Sequence, residues 1–581
     1  MIISQLEKGI GLRWREENGE DKTQILGFDE YRPYMYVNKD TIDSWKKSGQ
    51  PSIKCRDRSG NFIIKIKCLD SNYKNLEGEQ LTKIWWSPNN PKYARDIATY
   101  FNKDGVVTYE SDVSHHYKFA VEKALQLQVI HQSLHLIRPM RKWYWDMEWQ
   151  QGGKHDEKIT CITLYDNYDD EYTVFTWYPK EFDEESMLVD TPIVDDTNTT
   201  LIYADSESKM IRNFLIHSVE KDPDMLISWF GWKFDLPKLI ERAVHYNIDI
   251  RLLSPFNEIT GVYWKNNSVA MNNKRVNSYS PAYQPIKGIV TIPLDLAFER
   301  QWNDAQKGTL PSLALDYVAE IVLGEKKLVS EKFPDKNEFF ARGWLEDRYN
   351  YLTYALQDVR LIKLIDETNH TTEAIASLQR LLAAPFDACF YASNMASIYF
   401  MRNANWKPRT ASKDTSEGYY RGAMVYDPAT EGTNGLYENV AAFDFASLYP
   451  SVMIARNISW ETRSETPTEF AVNLETPRDF SECNETDMRY FKTDELGVLP
   501  RAVLNLMDLR NDYKKKMKKA TNNDDYNKWN NNQLAVKRLM ASFYGIIGYK
   551  GYGWADIDLA ACITASAREA IREAAFEVRR L

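Results

Sequence analysis

Cysteine pairs with the spacing of metal ligands are missing from this sequence. The six cysteines are widely scattered and form no Cys-x-x-Cys pair; they are Cys55, Cys68, Cys161, Cys389, Cys483 and Cys562. Neither a disulfide framework nor a structural zinc site is therefore indicated. We expect all six thiols to be reduced.

Long apolar runs are missing as well. No run is long enough to span a membrane, and the stretch from Met1 to Lys8 lacks the basic start and long apolar segment of a secretory signal. We therefore expect a cytoplasmic protein with no membrane partner, in a prokaryotic cell or, if the gene is viral, in the host cell.

The sequence also has no excess of basic charge. The formal net charge is −10 and the pI is near 5.6, which argues superficially against nucleic acid, because its binding needs cations along the phosphates. Overall charge is a poor guide for a large enzyme with acidic metal sites, so local basic runs carry more weight. What the chain does have is length, since 581 residues exceed what one core supports. We expect three or more domains.

The stretch from Ala441 to Ser451 combines a predicted strand with a predicted helix. The apolar run 440–443 ends at Asp444, and Pro450 opens the helical pattern 451–456. A carboxylate at such a strand edge can hold a metal ion against a substrate phosphate. The Asp-x-x-Ser pattern is, however, also typical of an ordinary turn or helix N-cap.

The string Asp-Phe-Ala-Ser-Leu-Tyr-Pro-Ser in this stretch resembles motif A of family B (alpha-like) DNA polymerases. The resemblance implies that Asp444 and the backbone carbonyl of Phe445 are metal ligands. The turn amides of Ser447 and Leu448 are then expected to bind nucleotide phosphates. Tyr449 is expected to stack under the nucleotide sugar and to exclude a 2′-hydroxyl.

The segment from Lys142 to Trp149 alternates aromatic and polar residues. Period-two alternation places Asp146 and Glu148 on one face of a strand and the Trp and Met side chains on the other. Two neighbouring carboxylates repel each other unless a cation or solvent relieves them. A divalent-metal site and a solvated strand face both fit this pattern.

Two further segments carry acids. Asp235 follows a β-like run and lies just before Pro237, so it fits a helix cap as well as a functional acid. The helical pattern 351–362 places Tyr354 and Asp358 on one face, roughly opposite the apolar stripe. Taken alone, this pair reads as exposed and ordinary.

The three segments occur in the order and rough spacing of the exonuclease motifs of the same polymerase family. The resemblance implies a 3′→5′ proofreading exonuclease in which four acids surround two Mg²⁺ ions, with Mn²⁺ as the alternative; they are Asp146, Glu148, Asp235 and Asp358. Tyr354 would orient the attacking water. The family usually has Asn where this chain has Phe230, which puts contact with the frayed primer end in doubt.

Three connecting segments extend the match. Segments 289–296 and 312–327 resemble connections within the same exonuclease domain. We interpret them as segments that lengthen the match and contribute no catalytic residues. Tyr420 and Gly422 resemble the Tyr-x-Gly-Gly/Ala segment, which contacts template in this family. A plain loop glycine is the alternative interpretation of Gly422.

A basic helix pattern follows. Arg510, Lys514 and Lys518 recur every fourth residue, and the polar link 520–525 leads to a second predicted helix, 526–545, so the two form an antiparallel hairpin.

The second helix resembles motif B, with Lys537 and Tyr544 in register. The resemblance implies that Arg510, Lys514, Lys537 and Tyr544 bind the incoming dNTP. A solvated face or a nonspecific nucleic-acid patch is the alternative for the basic run. The usual Asn of motif B is Ala541 here.

Motif C of the family, Tyr-Gly-Asp-Thr-Asp, has no counterpart, because Asp-Thr-Asp occurs nowhere in the sequence. Two explanations stay open: a split polymerase completed by a second chain carrying motif C and the thumb, or a truncated chain. In both cases we expect the isolated chain to edit DNA but hardly to extend it.

The expected architecture is α+β and multidomain. The resemblance implies a strand-rich N-terminal domain, a ribonuclease-H-like 3′→5′ exonuclease domain, a partial palm and helical-hairpin fingers; these span 1–137 (with 367–393 returning to it), 138–366, 394–499 with 547–581, and 500–546. The implied function is template-directed DNA synthesis with proofreading, and the partners are primer-template DNA, dNTPs, the second chain and a sliding clamp. The alternative is an exonuclease whose degenerate polymerase part only grips DNA.

Overall fold

The structure is a computed structural model. It describes all residues except 16–19, 48–53, 57–62, 131–139, 153–154, 183, 193–196, 278–279, 281–282, 305–307, 411–419, 425–434, 442, 475–487 and 581. The prediction for Cys483 lies outside the described residues. No helix among those described is long and apolar enough to cross a membrane.

The strands of the described residues are, in chain order, β1 (Ile2–Gln5), β2 (Gly9–Arg15), β3 (Asp21–Gly27), β4 (Tyr34–Asn38), β5 (Lys54–Arg56), β6 (Ile63–Lys74), β7 (Gln80–Ser87), β8 (Thr108–Tyr109), β9 (Lys142–Trp149), β10 (Ile159–Asp166), β11 (Glu171–Trp177), β12 (Asn198–Ala204), β13 (Met225–Ser228), β14 (Val262–Lys265), β15 (Ser268–Met271), β16 (Val290–Pro293), β17 (Arg463–Ser464), β18 (Phe470–Asn473) and β19 (Met488–Phe491).

The α-helices are α1 (Lys39–Lys47), α2 (Ala94–Lys103), α3 (His115–Phe119), α4 (Leu125–Ile130), α5 (Glu184–Met187), α6 (Glu207–Lys221), α7 (Asp235–His245), α8 (Asn273–Val276), α9 (Leu294–Asp304), α10 (Leu315–Leu323), α11 (Lys336–Glu338), α12 (Trp344–Glu346), α13 (Arg348–Asn369), α14 (Thr371–Leu382), α15 (Ala392–Asn403), α16 (Leu448–Ala455), α17 (Val498–Lys518), α18 (Asn523–Ile547) and α19 (Ile557–Arg580). Short 3₁₀ or π turns lie at Pro91–Tyr93, Ala120–Ala124, Ile250–Leu253, Phe339–Gly343 and Phe386–Phe390.

The chain divides into two compact units. The first comprises residues 1–27, 124–379 and 385–390, and the second comprises 28–123, 380–384 and 391–581. This division cuts across the N-terminal domain expected from the sequence, because it places residues 1–27 and 28–123 in different units. The expected domain boundaries stay a prediction.

The first unit is built on a six-stranded sheet with the order β12-β11-β10-β9-β13-β16. Strand β10 runs antiparallel to both of its neighbours, whereas the other neighbouring pairs are parallel. Helices cover both faces of β9. The Trp143 and Trp145 rings contact Phe214 of α6 on one side, and Tyr144 donates a hydrogen bond to Asp366 of α13 on the other (2.7 Å).

Arg13 ties the small sheet β1-β2-β3 to this unit. Its side chain is only 1% exposed, and its Nη1 donates to the carbonyls of Pro223 (2.9 Å) and Gly288 (3.1 Å). Nη2 lies 3.0 Å from the Asp222 carboxylate. Burial of a guanidinium is costly unless such acceptors replace water. These contacts explain why residues 1–27 belong to this unit.

The second unit contains the antiparallel sheet β5-β6-β7-β4-β8. Its core holds apolar side chains of the strands and of α2, among them Met35, Trp86 and Phe101. Lys407, in the segment after α15, forms a buried ion pair with Glu110 (3.2 Å).

Helices α17 and α18 form the expected hairpin in the second unit, and the connection is capped where the Asn522 side chain accepts from the Asp525 amide (2.7 Å). Helix α18 is longer than the predicted range 526–545. Helix α17 begins at Val498 because Pro500 fits a first helical turn, where no amide donor is needed.

The predicted strand 440–443 is wrong in this structure. The described residues 435–441 and 443–445 have no regular secondary structure, and Leu436, Val440 and Phe443 are 93%, 73% and 86% exposed. A strand forms only where a partner accepts its backbone hydrogen bonds, and no described strand pairs with this segment. The following helix starts at Leu448 rather than Ser451, with Pro450 in its first turn.

Candidate functional site

Three carboxylates converge in the first unit. Oxygen atoms of Asp146, Glu148 and Asp358 all lie within 4.8 Å of one another. The strand alternation brings the first two to the same face of β9, and α13 packs on that face and supplies the third. Glu148 and Asp358 are 9% and 1% exposed, so the alternative of a solvated strand face does not apply.

Asp235 lies beside this group but outside its tightest set. It is the first residue of α7 and is buried, while the N-cap position is Phe234, so the helix-cap interpretation of Asp235 is not supported. The absence of a side chain at Gly231 avoids a collision with Ser228 and leaves space beside Asp235. A Cβ on Gly231 would lie 1.9 Å from Ser228 Oγ and 3.2 Å from Asp235 Oδ2.

Burial and mutual repulsion raise the pKa values of these acids. Burial, and then repulsion from Asp358, raise the pKa of Asp146 to about 7. The pKa values of Glu148 and Asp235 are raised well above their usual range, by burial first and by Asp146 next. Burial also raises the pKa of Asp358. Each acid is therefore costly to ionise without a compensating positive charge.

Lys327 supplies one positive charge. Its Nζ lies 2.6 Å from Asp358 Oδ2 and 3.3 Å from the Tyr354 hydroxyl. The sequence interpretation of 312–327 as a segment without catalytic residues overlooked this residue. Lys327 is 31 residues from Asp358 in the chain, so no periodicity in the sequence could have indicated that the two are in contact. The only local signal is that Lys327 follows Gly324, the glycine that ends a helix.

Tyr354 is buried (6% exposed), against the expectation of an exposed pair with Asp358. Its ring makes edge contacts with Phe339 and Phe340. The sequence pattern assumed one apolar stripe on α13, whereas this helix is buried on several faces because the sheet and neighbouring turns surround it.

The donor set suits a hard divalent cation. Oδ1 of Asp358 is buried and has no hydrogen-bond partner, although an unmatched buried oxygen is costly. Carboxylate oxygens are the ligands that Mg²⁺ and Mn²⁺ prefer. The residues present therefore fit such an ion.

Three tyrosines meet in the second unit. Tyr420 and Tyr544 lie 2.7 Å apart at their hydroxyls, and the rings of Tyr449 and Tyr544 have centroids 4.6 Å apart. Helix α16, which carries Tyr449, thus meets α18, which carries Tyr544. The carbonyl of Gly422 accepts from Arg568 of α19 (2.7 Å), and a Cβ on Gly422 would meet no atom within 4 Å.

The basic residues of the hairpin also come together. Lys514 has a lowered pKa, caused first by Arg510, then by partial burial and by Lys518 and Lys537. Arg510 donates to the Gln533 side chain across the hairpin (3.2 Å). Four cations in mutual repulsion form a surface that an anion would relieve.

Asp444 is exposed, and Phe445 beside it is 42% exposed. Ser447 adopts a left-handed conformation (φ 58°) at the N-cap of α16, so Leu448 is the first helical residue. Within the described part of the chain, no second group of three acids forms around Asp444. The structure thus brings acids of the exonuclease motifs together, whereas Asp444 of motif A belongs to no such group among the described residues.

Two family descriptions match the chain in the same order as these sites. Residues 96–283 match "DNA polymerase family B, exonuclease domain", and residues 391–580 match "DNA polymerase family B". The chain belongs to DNA polymerase family B. It is a mixed α/β multidomain member with an exonuclease domain.

Several DNA polymerases are similar to this protein along almost the whole chain. A DNA polymerase of Pyrococcus glycovorans is 26% identical over 98% of this chain, and one of Thermococcus sp. (strain 9oN-7) is 25% identical over 98%. A DNA polymerase of Thermococcus gorgonarius is 26% identical over 97%. The chain spans about two thirds of the length of these relatives, 66% in each case.

The two positions that differ from the usual family B pattern have distinct surroundings. Phe230 is half-buried and contacts Phe234, directly before Asp235. Ala541 is exposed on α18, one helical turn after Lys537. Space for a longer side chain therefore exists at 541.

Proposed function

We propose that this chain is a DNA-directed DNA polymerase component with a 3′→5′ proofreading exonuclease in its first unit. The convergence of Asp146, Glu148 and Asp358 within 4.8 Å carries this proposal. Asp235 completes the acid set, because burial first and repulsion from Asp146 next raise its pKa. Primer-template DNA and dNTPs are the proposed substrates, and the cytoplasm is the proposed location.

In the proposed exonuclease, the four acids would hold two Mg²⁺ or Mn²⁺ ions. When bound, these ions supply a nucleophile at neutral pH and stabilise the departing 3′ oxygen. The chain does the rest. Tyr354, held between two Phe rings and near Lys327, orients the attacking water through its hydroxyl. Lys327 fixes Asp358 and balances negative charge while the site is free of metal.

The sheet of the first unit supports a ribonuclease-H-like exonuclease domain. Its antiparallel strand β10 lies between β11 and β9, and the parallel strands β13 and β16 follow on the other side. Within this proposal, 1–137 and 367–393 form the N-terminal domain and 138–366 the exonuclease domain. Residues 394–499 and 547–581 belong to the palm, and the hairpin within 500–546 forms the fingers.

For nucleotide binding, we assign the hairpin cations and the tyrosine contacts. Arg510, Lys514 and Lys537 would bind the triphosphate, which relieves their mutual repulsion. Tyr449 and Tyr544 would enclose the sugar, and Asp444 with the Phe445 carbonyl would hold metal. Ser447 and Leu448 would offer amides at the start of α16, and Tyr420 and Gly422 would contact template; open space at Gly422 supports that contact.

A second polypeptide or segment is part of this proposal for the polymerase. The segment 435–445 exposes a row of large apolar side chains and no described strand pairs with it. A β-hairpin carrying the missing acids would cover this row and place carboxylates opposite Asp444. A sliding clamp is a further proposed partner of the complete polymerase.

The exonuclease is tested with a single-stranded oligonucleotide labelled at its 5′ end. The purified chain should shorten it from the 3′ end in Mg²⁺ and not in EDTA, and Asp146→Asn should abolish the shortening. A 3′ end that stays intact in Mg²⁺ and in Mn²⁺ would contradict the proposal.

A second candidate function is an exonuclease whose polymerase part only grips DNA. The isolated position of Asp444 favours this candidate. Primer extension decides between the two. Extension by the chain together with a polypeptide carrying Tyr-Gly-Asp-Thr-Asp supports the polymerase, and failure of every such combination supports the gripping role.

A further inference from the structure

A β-bulge interrupts the pairing of β9 with β10 beside one of the buried acids. Ile159 pairs with Trp149 and Cys161 pairs with Glu148, so Thr160 between them is an extra residue on β10. From Cys161 to the end of β10 the register continues without a further shift. A bulge increases the local twist of the strands and redirects side chains, and bulges are common next to active sites. This bulge therefore lies where it can set the direction of the Glu148 side chain.

The Thr160 hydroxyl joins this strand pair to α13. Thr160 is fully buried, and its Oγ1 donates to the Glu148 carbonyl (2.9 Å). The hydroxyl of Tyr351, a fully buried residue of α13, lies 2.9 Å from the same Oγ1. A hydroxyl has one proton to donate, and Thr160 donates its proton to Glu148, so Tyr351 is the donor in the second bond. Burial, and then Glu148, raise the pKa of Tyr351 well above its usual value, which keeps this proton in place.

A second series of hydrogen bonds connects the bulge to the same helix. The Thr160 carbonyl accepts from Oγ1 of Thr176 on β11 (3.0 Å), and this Oγ1 accepts from Nη2 of Arg348 (3.0 Å). Arg348 is the first residue of α13. Hydrogen bonds in series polarise and strengthen one another in a protein interior. The backbone and the side chain of Thr160 are thus both held, directly or through Thr176, by α13.

The two ends of this connection carry different members of the acid group. Glu148 lies on β9, whereas Asp358 lies on α13, and their carboxylates belong to the group within 4.8 Å. The Phe339 ring contacts both Tyr351 and Tyr354, with centroid distances of 5.1 and 5.5 Å. The spacing between the strand acid and the helix acid therefore depends on how firmly the bulge is attached to the helix.

We propose that Thr160 and Tyr351 are positioning residues, which hold Glu148 at a fixed distance from Asp358 and so set the spacing of the carboxylates for a divalent cation. This inference rests on the proposed exonuclease. Both residues act through the Glu148 backbone. Residues that orient the ligands of a metal typically change metal affinity or activity 10- to 100-fold when they are replaced. The effect should already appear in metal binding, before any DNA is added.

The test measures binding of Mn²⁺ to the whole chain by isothermal titration calorimetry without DNA. Tyr351→Phe keeps the ring and removes the donor, so the affinity for Mn²⁺ should fall about 10-fold. Thr160→Val removes the hydroxyl at similar volume and should lower the affinity about 10- to 100-fold. Thr160→Ser keeps the hydroxyl and should retain most of the affinity.

The exonuclease assay supplies a second measurement on the same variants. At limiting Mn²⁺, Tyr351→Phe should lower kcat for shortening of a single-stranded 3′ end, while KM for that end stays unchanged. A high concentration of Mn²⁺ should restore much of the rate, because the carboxylates are still present. A general loss of folding would not respond to metal in this way.

Tyr165→Phe is the matched control. Tyr165 lies on the same strand β10 and is buried, and its hydroxyl donates to Asp170 (2.6 Å). This variant also loses one tyrosine hydrogen bond, so its thermal midpoint without metal should fall about as much as that of Tyr351→Phe. Its affinity for Mn²⁺ and its kcat should stay unchanged. An equal loss of Mn²⁺ affinity in Tyr165→Phe would indicate general loosening of the sheet and contradict the proposal.

The inference is overturned if Tyr351→Phe or Thr160→Val binds Mn²⁺ as tightly as the unaltered chain, or if the unaltered chain binds no Mn²⁺. Unchanged affinity in these variants, together with normal shortening of DNA, removes the positioning role and leaves the exonuclease standing. A chain whose Mn²⁺ affinity depends on Thr160 and Tyr351 but which degrades no DNA would support the positioning role and refute the exonuclease.

Discussion

Lys327 sets the charge balance among the buried acids of the first unit. Its ammonium group contacts Asp358 and lowers the pKa of Asp146, Glu148 and Asp235 as well, against the rise caused by burial. Three of these four acids still have pKa values far above their ordinary range. One lysine is thus insufficient, and the deficit is what a divalent cation would supply.

Replacement of this lysine should shift the pH profile of the exonuclease. Without the ammonium group of Lys327, the carboxyls bind protons more tightly. The increase of kcat/KM with rising pH should therefore occur about one pH unit higher in Lys327→Met than in the unaltered chain. Lys327→Arg keeps the charge and should retain most of the profile. The measurement is the initial rate of single-strand shortening between pH 6 and 9 at saturating Mg²⁺. An unchanged profile in Lys327→Met would contradict the charge-balance role.

Protons and metal should compete at Asp146. Its pKa is about 7 in the fold against an ordinary 3.8, so the folded chain binds a proton that the unfolded chain has released. The contribution of Asp146 to the stability of the metal-free fold is thus fully present below about pH 4 and is lost as the pH rises to about 7. Mg²⁺ binds the ionised form, so its affinity should fall as the pH is lowered below 7. Thermal midpoints at pH 5, 6, 7 and 8, with and without Mg²⁺, check both trends; equal Mg²⁺ affinity at pH 5 and 8 would contradict them.

At the scale of elements, sequence periodicity predicted the direction of side chains better than their surroundings. The alternation in β9 correctly placed Asp146 and Glu148 on one face. It could not tell that α13 covers this face, because that contact joins residues 222 positions apart. The same limit explains the errors at Tyr354 and at the segment 440–443. Burial of a helix and pairing of a strand depend on partners that local pattern does not contain.

The hairpin α17–α18 was predictable because its contacts are local.

The function of the hairpin should depend on the cluster of cations and not on total charge. Lys537→Ala should weaken binding of a Mg²⁺–dNTP about 10- to 100-fold, because a charge-assisted hydrogen bond contributes roughly 1.5–3 kcal/mol. Lys528→Ala, on the same helix but beside Trp529 (Nζ 5.1 Å from its ring centroid), is the control and should change little. Equilibrium dialysis with labelled dNTP measures both, and equal losses would indicate a nonspecific basic face.

At the scale of the whole molecule, the two units differ in how complete their acid sets are. The first holds three carboxylates in contact range with a fourth nearby, all within one compact unit. In the described part of the second, Asp444 is exposed and belongs to no such group. Divalent metal should therefore bind the isolated chain through the first unit alone.

Paired substitutions in the two units test this asymmetry. Mg²⁺ should raise the thermal midpoint of the unaltered chain, because a ligand that binds only the folded state stabilises it by RT ln(1 + [L]/Kd). Asp146→Asn should abolish the rise and the 3′ shortening, and Asp444→Asn should leave both intact. Asp444→Asn should instead abolish primer extension once a polypeptide with the missing acids is supplied, while Asp146→Asn retains it. Loss of the Mg²⁺-dependent rise in Asp444→Asn would show that the exposed acid belongs to a metal site in the chain alone.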